Sequence, residues 1–539
     1  RHKDDFDPSK VFEGKTLRRL PNQTQLSFVD ASLMPYIERE SGAALSALVE
    51  QVIRNIEKTL KRPIGAPKDV DAAYKSTFWL LAAKFLHDKS VPNFINLKLS
   101  DIDEVFKRVG THYGDTNGLP PGGKTLRAAI EETAATISNF PSLVHTSTDA
   151  LAHVYENAMI PDEIRKANGT HSTPGALVDY MIWQLWPWIE ALPPDRRHVF
   201  EPACGHAAFL VGALRMLRQW SDIADPKARH DYLRNHLHGI ENEPFAVEVA
   251  RLRLTLADIP HGNSWKLIPK DMFSGSLLED GSKQCGVFLA NPPYERFSED
   301  ERKAYSKADI PLTAFTKTNE MLRRTIPHLA RGACFGVVVP QGFLHAKDMS
   351  DFRRNLISNF ELGEIDVFGD QLFEKADHEV AILLGRRKAP QKTAGPLWFR
   401  RVRNRGMDAF RDRFAFTSEE QVAVDRFLGH SLVDLRVPEL GAVWQFLHTN
   451  PKLDSIALVG QGLIHHGKDL PRGVWTIHDP PQAGDTLGFD SAREYDIFGL
   501  PKLVGINTAK EAIRRFVAGM PTGKPQVLLN YARIDRDAW

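Results

Sequence analysis

The chain reads as an α/β protein built on a doubly wound, mostly parallel sheet, with a helical region before the sheet and a further region after it. Three observations predict this. Strand-like apolar runs alternate with helix-like segments from Arg197 to Lys388, the pattern of parallel strands covered by helices on both faces. Acidic residues close the first three of those strands, at Glu201, Glu241 and Asp271. From about residue 40 to 160 the apolar residues recur at helical spacing.

Size and composition agree with such an architecture. A length of 539 residues implies roughly three or four domains. The apolar share of 42% and charged share of 25% are those of a globular chain, and no run approaches the ~18 uninterrupted apolar residues of a membrane span. The net charge of +1 gives no overall attraction to nucleic acid, so any such contact must rest on a local cluster. Cys204, Cys285 and Cys334 are the only cysteines and have no Cys-x-x-Cys spacing. That argues against a zinc site and a disulfide framework and points to a reducing compartment. The chain opens on Arg1-His2-Lys3-Asp4-Asp5 without an apolar signal segment, so a cytoplasmic location is expected.

Taken in order, Ala44, Leu45, Leu48, Val49, Val52 and Ile53 line one helical face, and the apolar segment Trp79 to Leu86 follows. The glycine-rich stretch Gly110 to Gly123 divides these helices into two groups. Strands are predicted at His198–Ala203, His236–Glu241, Trp265–Lys270, Gly286–Ala290, Ala333–Pro340, Glu364–Phe368 and Val380–Leu384. The clearest helices between them are Ala207–Trp220, Pro244–Ala257 and Phe315–Leu329. Beyond Lys388 the character shifts. Arg386 to Arg413 holds ten basic residues against Asp408 and Asp412, and from Leu453 onward short strand-like pieces lie among Gly, Pro and His.

Two sets of residues carry the chemistry. The first is Glu201-Pro202-Ala203-Cys204-Gly205, an acidic strand end running through a small-residue turn into a helix, which suits a nucleoside-like ligand at a helix start. About forty residues on, Glu241-Asn242 closes the second strand, where a carboxylate can take both hydroxyls of a ribose. Asp271-Met272-Phe273 closes the third, with a carboxylate for an adenine amine and an apolar wall for its ring. The alternative for Glu241 and Asp271, read alone, is that they cap the helices that follow. The second set is Asn291-Pro292-Pro293-Tyr294, directly after the apolar strand Gly286–Ala290. It supplies an amide oxygen, a carbonyl held by fixed proline φ angles and an aromatic face, a combination suited to a planar base with an exocyclic amine.

With these motifs in this order, the sequence between about 150 and 390 resembles the N6-adenine DNA methyltransferases. Tyr155-Glu156 and Gly169-Thr170-His171-Ser172-Thr173-Pro174 resemble the family segment that covers the methionine part of the cofactor. The helical region before them is similar to that of type I restriction-modification methylation subunits and related phage-defence methylases. The resemblance implies a Rossmann-like methyltransferase fold with a helical domain over 1–150 and a methyltransferase domain over 151–394. A DNA-contacting linker and the start of a target-recognition region would occupy 395–539. It implies S-adenosyl-L-methionine as cofactor, bound by Thr173, Pro174, Glu201, Pro202, Ala203, Cys204, Gly205, Glu241, Asn242, Asp271, Met272 and Phe273. Asn291, Pro292, Pro293 and Tyr294 would be catalytic. One departure stands out: the family reads Ser-Gly where this chain has His206-Ala207, and a Cβ at Ala207 is expected to crowd the cofactor.

The mechanism expected from these residues needs no strong base. Asn291 Oδ1 and the Pro292 carbonyl each accept one N–H of an adenine amine, turning its lone pair toward the methyl donor. The target lies inside a duplex, so the nucleotide must flip out and stack on Tyr294. Arg400, Arg401, Arg403 and Arg405 are expected to meet phosphates, and Gly462 to Lys468 resembles the opening of a recognition domain. The expected partners are double-stranded DNA and specificity, nuclease or other defence-system subunits, with no membrane. Two other functions fit the same motifs: methylation of RNA or of protein glutamine, and a non-enzymatic DNA- or partner-binding subunit with a weakened cofactor site.

Overall fold

Two adjacent four-residue strands, buried on both faces, lie within the main sheet. The structure, a computed structural model, describes residues 26–61, 67–113, 124–144, 173–258, 261, 264–373, 378–388, 397–428, 432–447, 449–450, 476–489, 504–507 and 528–529. Every residue of β1 (Val199–Pro202) and β4 (Val287–Ala290) is buried, as parallel strands between two helical layers must be. They join β2 (Leu237–Glu241), β3 (Lys266–Pro269), β5 (Cys334–Pro340), β6 (Phe360–Phe368), β7 (Val380–Arg387), β8 (Leu397–Val402) and β9 (Ser418–Val422). The sheet order is β3-β2-β1-β4-β5-β7-β6-β8-β9. Strands β1 to β5 run parallel, and β7 is inserted antiparallel between β5 and β6. The order reverses between β1 and β4, where Val199 pairs with Val287. A reversal of this kind opens a crevice at the carboxyl ends of the strands. All seven predicted strands are present and the fold is the expected one.

Helices before the sheet are α1 (Leu26–Leu60), α2 (Pro67–Asp88), α3 (Ile102–Tyr113) and α4 (Lys124–Ser138). Within and beside the sheet follow α5 (Gly175–Glu190), α6 (Ala208–Trp220), α7 (Pro226–His236) and α8 (Pro244–Ala257). Proline at the first helical position and an acidic cap start both α7 and α8: Asp225 accepts from Ala228 N at 2.7 Å and Glu243 from Ala246 N at 2.6 Å. The early helices bury Val49, Val52, Trp79, Phe85, Val105 and Ile130 in a core that also takes in Ala246, Val249 and Leu252 of α8. Trp79 Nε1 donates to Glu248 of α8 at 2.6 Å. The helices before the sheet thus share a core with α8.

The chain divides into two compact units, Arg1–Arg436 and Val437–Trp539. The start expected for the recognition region, residue 395, falls inside the first. There β8 pairs parallel with β6 and β9 antiparallel with β8, so two strands beyond the expected boundary complete the sheet. The second unit holds β10 (Thr476–His478), β11 (Thr486–Phe489), β12 (Val504–Asn507) and β13 (Leu528–Leu529) in the order β10-β12-β11-β13. Tyr155-Glu156, Gly169 to Ser172 and Gly462 to Lys468 lie outside the described residues. Among the described residues, no helix is long and apolar enough to cross a membrane.

Candidate active site

The turn between β1 and α6 is wound by three left-handed residues, Ala203 (φ 59°), Gly205 (φ 51°) and Ala207 (φ 64°). The left-handed region disfavours a Cβ by roughly 1–2 kcal/mol, so the two alanines hold a conformation that glycine adopts freely. One bond to β2 and one within the turn impose it: Cys204 N donates to Ile240 O at 2.9 Å, and Ala207 N to Cys204 O at 2.7 Å. The Ala207 methyl is packed into the core of the sheet. Gly205 is the open position, since a Cβ built there meets nothing within 4 Å.

Strand β2 brings Glu241 to this turn. Its Oε2 accepts from Gly205 N and its Oε1 from Glu243 N, both at 2.8 Å. Each oxygen retains a second lone pair for a ligand hydroxyl. Burial raises the Glu241 carboxyl above its ordinary range against the pull of those two N–H groups. Asn242 beside it is exposed. Glu201 is turned inward instead: it is buried, and its Oε2 accepts from Leu210 N at 3.1 Å in the first turn of α6. Burial pushes its carboxyl well up. Pro202 and Cys204 are buried with it, and burial drives the Cys204 thiol far above its usual value, the opposite of an activated nucleophile.

At the end of β3, Asp271 accepts from Phe273 N at 3.0 Å and from the Tyr305 hydroxyl at 2.6 Å. Tyr305 belongs to α9 (Glu299–Lys307). Met272 and Phe273 are buried, and Arg324 of α10 (Lys317–Thr325) fixes the loop by donating to Phe273 O at 3.0 Å. The donor set fits a nucleoside cofactor: an open glycine, a carboxylate with spare lone pairs, a second anchored carboxylate and an apolar wall.

Asn291 stands at the end of β4, held from two sides. Its Nδ2 donates to Thr173 Oγ1 at 3.1 Å, and its Oδ1 accepts from the Tyr294 hydroxyl at 2.8 Å. These bonds define which way the amide faces and leave Oδ1 one lone pair. Thr173, expected at the cofactor, thus touches the turn that bears Asn291, and Pro174 precedes the first residue of α5. Burial raises the Tyr294 phenol above its ordinary value, and its ring meets His378 edge-on at 5.9 Å. The Pro293 carbonyl accepts from Thr318 Oγ1 at 2.7 Å, which locks the turn. Tyr305, Thr318 and the Thr173–Asn291 bond were beyond sequence reasoning, because the partners are 34, 25 and 118 residues apart.

The arginine stretch needs correction. Arg400 and Arg401 are buried, not presented to phosphates. Arg400 Nη1 lies 2.6 Å from Glu364 Oε2 and donates to the Tyr180 hydroxyl at 2.8 Å, while Arg401 Nη1 pairs with Glu420 at 3.0 Å. The cause is β8 itself, which sits between β6 and β9 and places Arg400 opposite Glu419. Arg403 and Arg405, just past the strand, are exposed. Phe373 is buried in the core.

The family model for N-6 DNA methylase matches residues 146–429. The type I restriction enzyme MjaIX methylase subunit of Methanocaldococcus jannaschii is 22% identical over 297 residues, which is 52% of this chain and 49% of that protein. The adenine-specific methyltransferase PglX of Streptomyces coelicolor is 24% identical over 173 residues, 27% of this chain and 14% of that protein. The chain thus spans about half the length of the first and much less of the second. A solved modification subunit assigned to a type I restriction enzyme of Vibrio vulnificus YJ016 aligns at 15% identity and a TM-score of 0.49, over 74% of this chain and 98% of that one.

Proposed function

The chain belongs to the N-6 DNA methylase family, and from that premise we propose that it moves a methyl group from S-adenosyl-L-methionine to N6 of a flipped-out adenine in double-stranded DNA. S-adenosyl-L-methionine, when bound, supplies a methyl group on a positively charged sulfur. Gly205 leaves room for it, Glu241 accepts its ribose hydroxyls, Asp271 receives its adenine amine, and Met272 and Phe273 flank the ring. On the other side of the site, Asn291 Oδ1 and the Pro292 carbonyl accept the two N–H bonds of the target amine. That draws the nitrogen toward a tetrahedral shape and frees its lone pair for in-line attack. The proton leaves after charge has developed, so no strong base is required. Tyr294 stays tied to Asn291 and offers its ring to the extruded base.

The observation that carries this reading is the clamp on Asn291. Thr173 at 3.1 Å and Tyr294 at 2.8 Å orient the amide at the end of β4, next in the sheet to β1 and β2, whose ends bring Gly205 and Glu241 together. A fixed acceptor next to a nucleoside-shaped set of polar groups is what transfer to an amine requires. Arg403 and Arg405 are proposed phosphate contacts, and the system is proposed to be a restriction-modification or phage-defence system in which specificity or nuclease subunits are partners. Sequencing that maps modified adenines in cells carrying the intact gene or Asn291→Ala tests the assignment. Modification at a defined motif should vanish with the variant; an unchanged map would reject it.

A further inference from the structure

A large apolar ring stands exposed beside the catalytic turn, on backbone that is tied down at each step. Phe315 is 67% exposed. Just before it, the fully buried Glu320 accepts from Thr313 N at 2.7 Å, Thr313 Oγ1 at 3.0 Å and Ala314 N at 2.8 Å. Arg323 donates to Thr313 O at 2.7 Å, and Arg302 donates to Ala314 O at 3.3 Å and Phe315 O at 3.2 Å. Phe315 O also accepts from Phe297 N at 3.1 Å, and Lys317 N donates to Glu295 O at 2.9 Å. Arg296 and Thr316 form an antiparallel bridge between them. Residues 315–318 therefore lie antiparallel along 293–297, which continues directly from Asn291-Pro292.

An unsupported loop would fold its phenyl ring inward, because exposed apolar surface is unfavourable. Here the hydrogen bonds fix the backbone and hold the ring outward. The Arg302 guanidinium lies 5.4 Å from the ring centroid, and the Arg296 side chain on the paired segment is exposed. A rigid ring with cations beside it is the chemistry that stacks on a nucleobase and meets the adjoining phosphates. We propose that Phe315 is a wedge that enters the base stack at the step vacated by the target nucleotide and holds the duplex open while Asn291 engages the base. The inference rests on the reading of the chain as a DNA adenine methyltransferase. Phe315 is a positioning residue: its ring replaces stacking lost on extrusion, so its contribution is required only when the target begins paired.

The test compares two duplexes bearing the motif mapped above, one fully paired and one with a mismatched base opposite the target adenine, with the intact enzyme, Phe315→Ala and Phe315→Trp. Phe315→Ala should lose roughly 10- to 100-fold in kcat/KM on the paired duplex, the range of base–aromatic stacking, and the loss should shrink to a few-fold on the mismatched one. Phe315→Trp, which keeps a stacking face, should restore most of the paired-duplex rate. An undiminished paired-duplex rate in Phe315→Ala would overturn the wedge. So would an equal loss on both duplexes, as a failure of folding or of subunit docking would produce. A wild-type enzyme inert on both duplexes would overturn the methyltransferase reading, and the wedge with it.

Discussion

The turn after β4 and the arginines of β8 are polar surfaces on the same sheet, one with hydrogen-bonding capacity to spare and the other with its charges already matched. Asn291 Oδ1 takes one O–H and keeps a lone pair, at a strand end that opens on the crevice. Arg400 lies along a strand, between Glu364 and Glu419, with the Tyr180 hydroxyl against it. A buried guanidinium left unpaired would be strongly unfavourable, and these partners resolve that. Position relative to the strand, more than residue type, decides which polar group meets a ligand.

The contrast can be broken from either side. The largest expected effect is on Asn291: replacement by alanine should lower methyl transfer by at least ~100-fold, the scale of losing one positioned polar group at a reacting centre. Cofactor affinity measured by calorimetry should change little. A matching collapse in cofactor binding would make Asn291 part of the donor pocket instead. Next comes Arg400→Ala, which strands Glu364 and should cost about 3–5 kcal/mol in chemical denaturation. Full stability combined with a flatter salt dependence of DNA binding would return Arg400 to the phosphate-facing role that its sequence suggests.

Thr173→Ala sharpens the catalytic side. Loss of its bond to Asn291 Nδ2 should lower kcat by about five- to tenfold, the worth of roughly 1 kcal/mol, with cofactor affinity unchanged. Weaker cofactor binding at constant kcat would instead assign Thr173 to the cofactor. The smallest effect belongs to Asp366, whose Oδ2 accepts from Tyr180 at 2.8 Å and whose Oδ1 has no hydrogen-bond partner among the described residues. Burial first, and the charge of Glu364 second, hold its carboxyl well above the ordinary 3.8, with Arg400 pulling the other way. A raised carboxyl pKa favours the fold most below the unfolded value, and that contribution is lost as pH rises toward the folded value. Asp366→Asn removes the titration. Its Tm should gain on the wild type by about 2 °C between pH 5 and pH 8; parallel curves would show that Asp366 does not titrate there.

Much of the molecule could be read from local pattern. The strands from His198 to Leu384 were legible because they are short apolar runs punctuated by acids, glycines and prolines, and Asn291 to Tyr294 because proline geometry is carried in the residues themselves. What escaped were contacts between distant segments. The burial of Arg400 needs Glu364 on β6 and Tyr180 on α5, and the anchoring of Asp271 needs Tyr305. Glu201 looked like its neighbours Glu241 and Asp271, yet it points at α6, where its Oε2 accepts from Leu210 N. Ala207 shows the same limit: its sequence announces a missing glycine, and only the packed turn shows a left-handed alanine with its methyl in the core.

By itself the sequence determined the order of strands and helices, the switch-point architecture and the turn that bears Asn291, because these follow from apolar period and from backbone restrictions encoded residue by residue. Tertiary structure alone decided which charged groups remain for a ligand. Charge is a property of a side chain, but its availability depends on burial and on partners supplied by strand pairing, as Glu419 opposite Arg400 and Gly205 against Glu241 show.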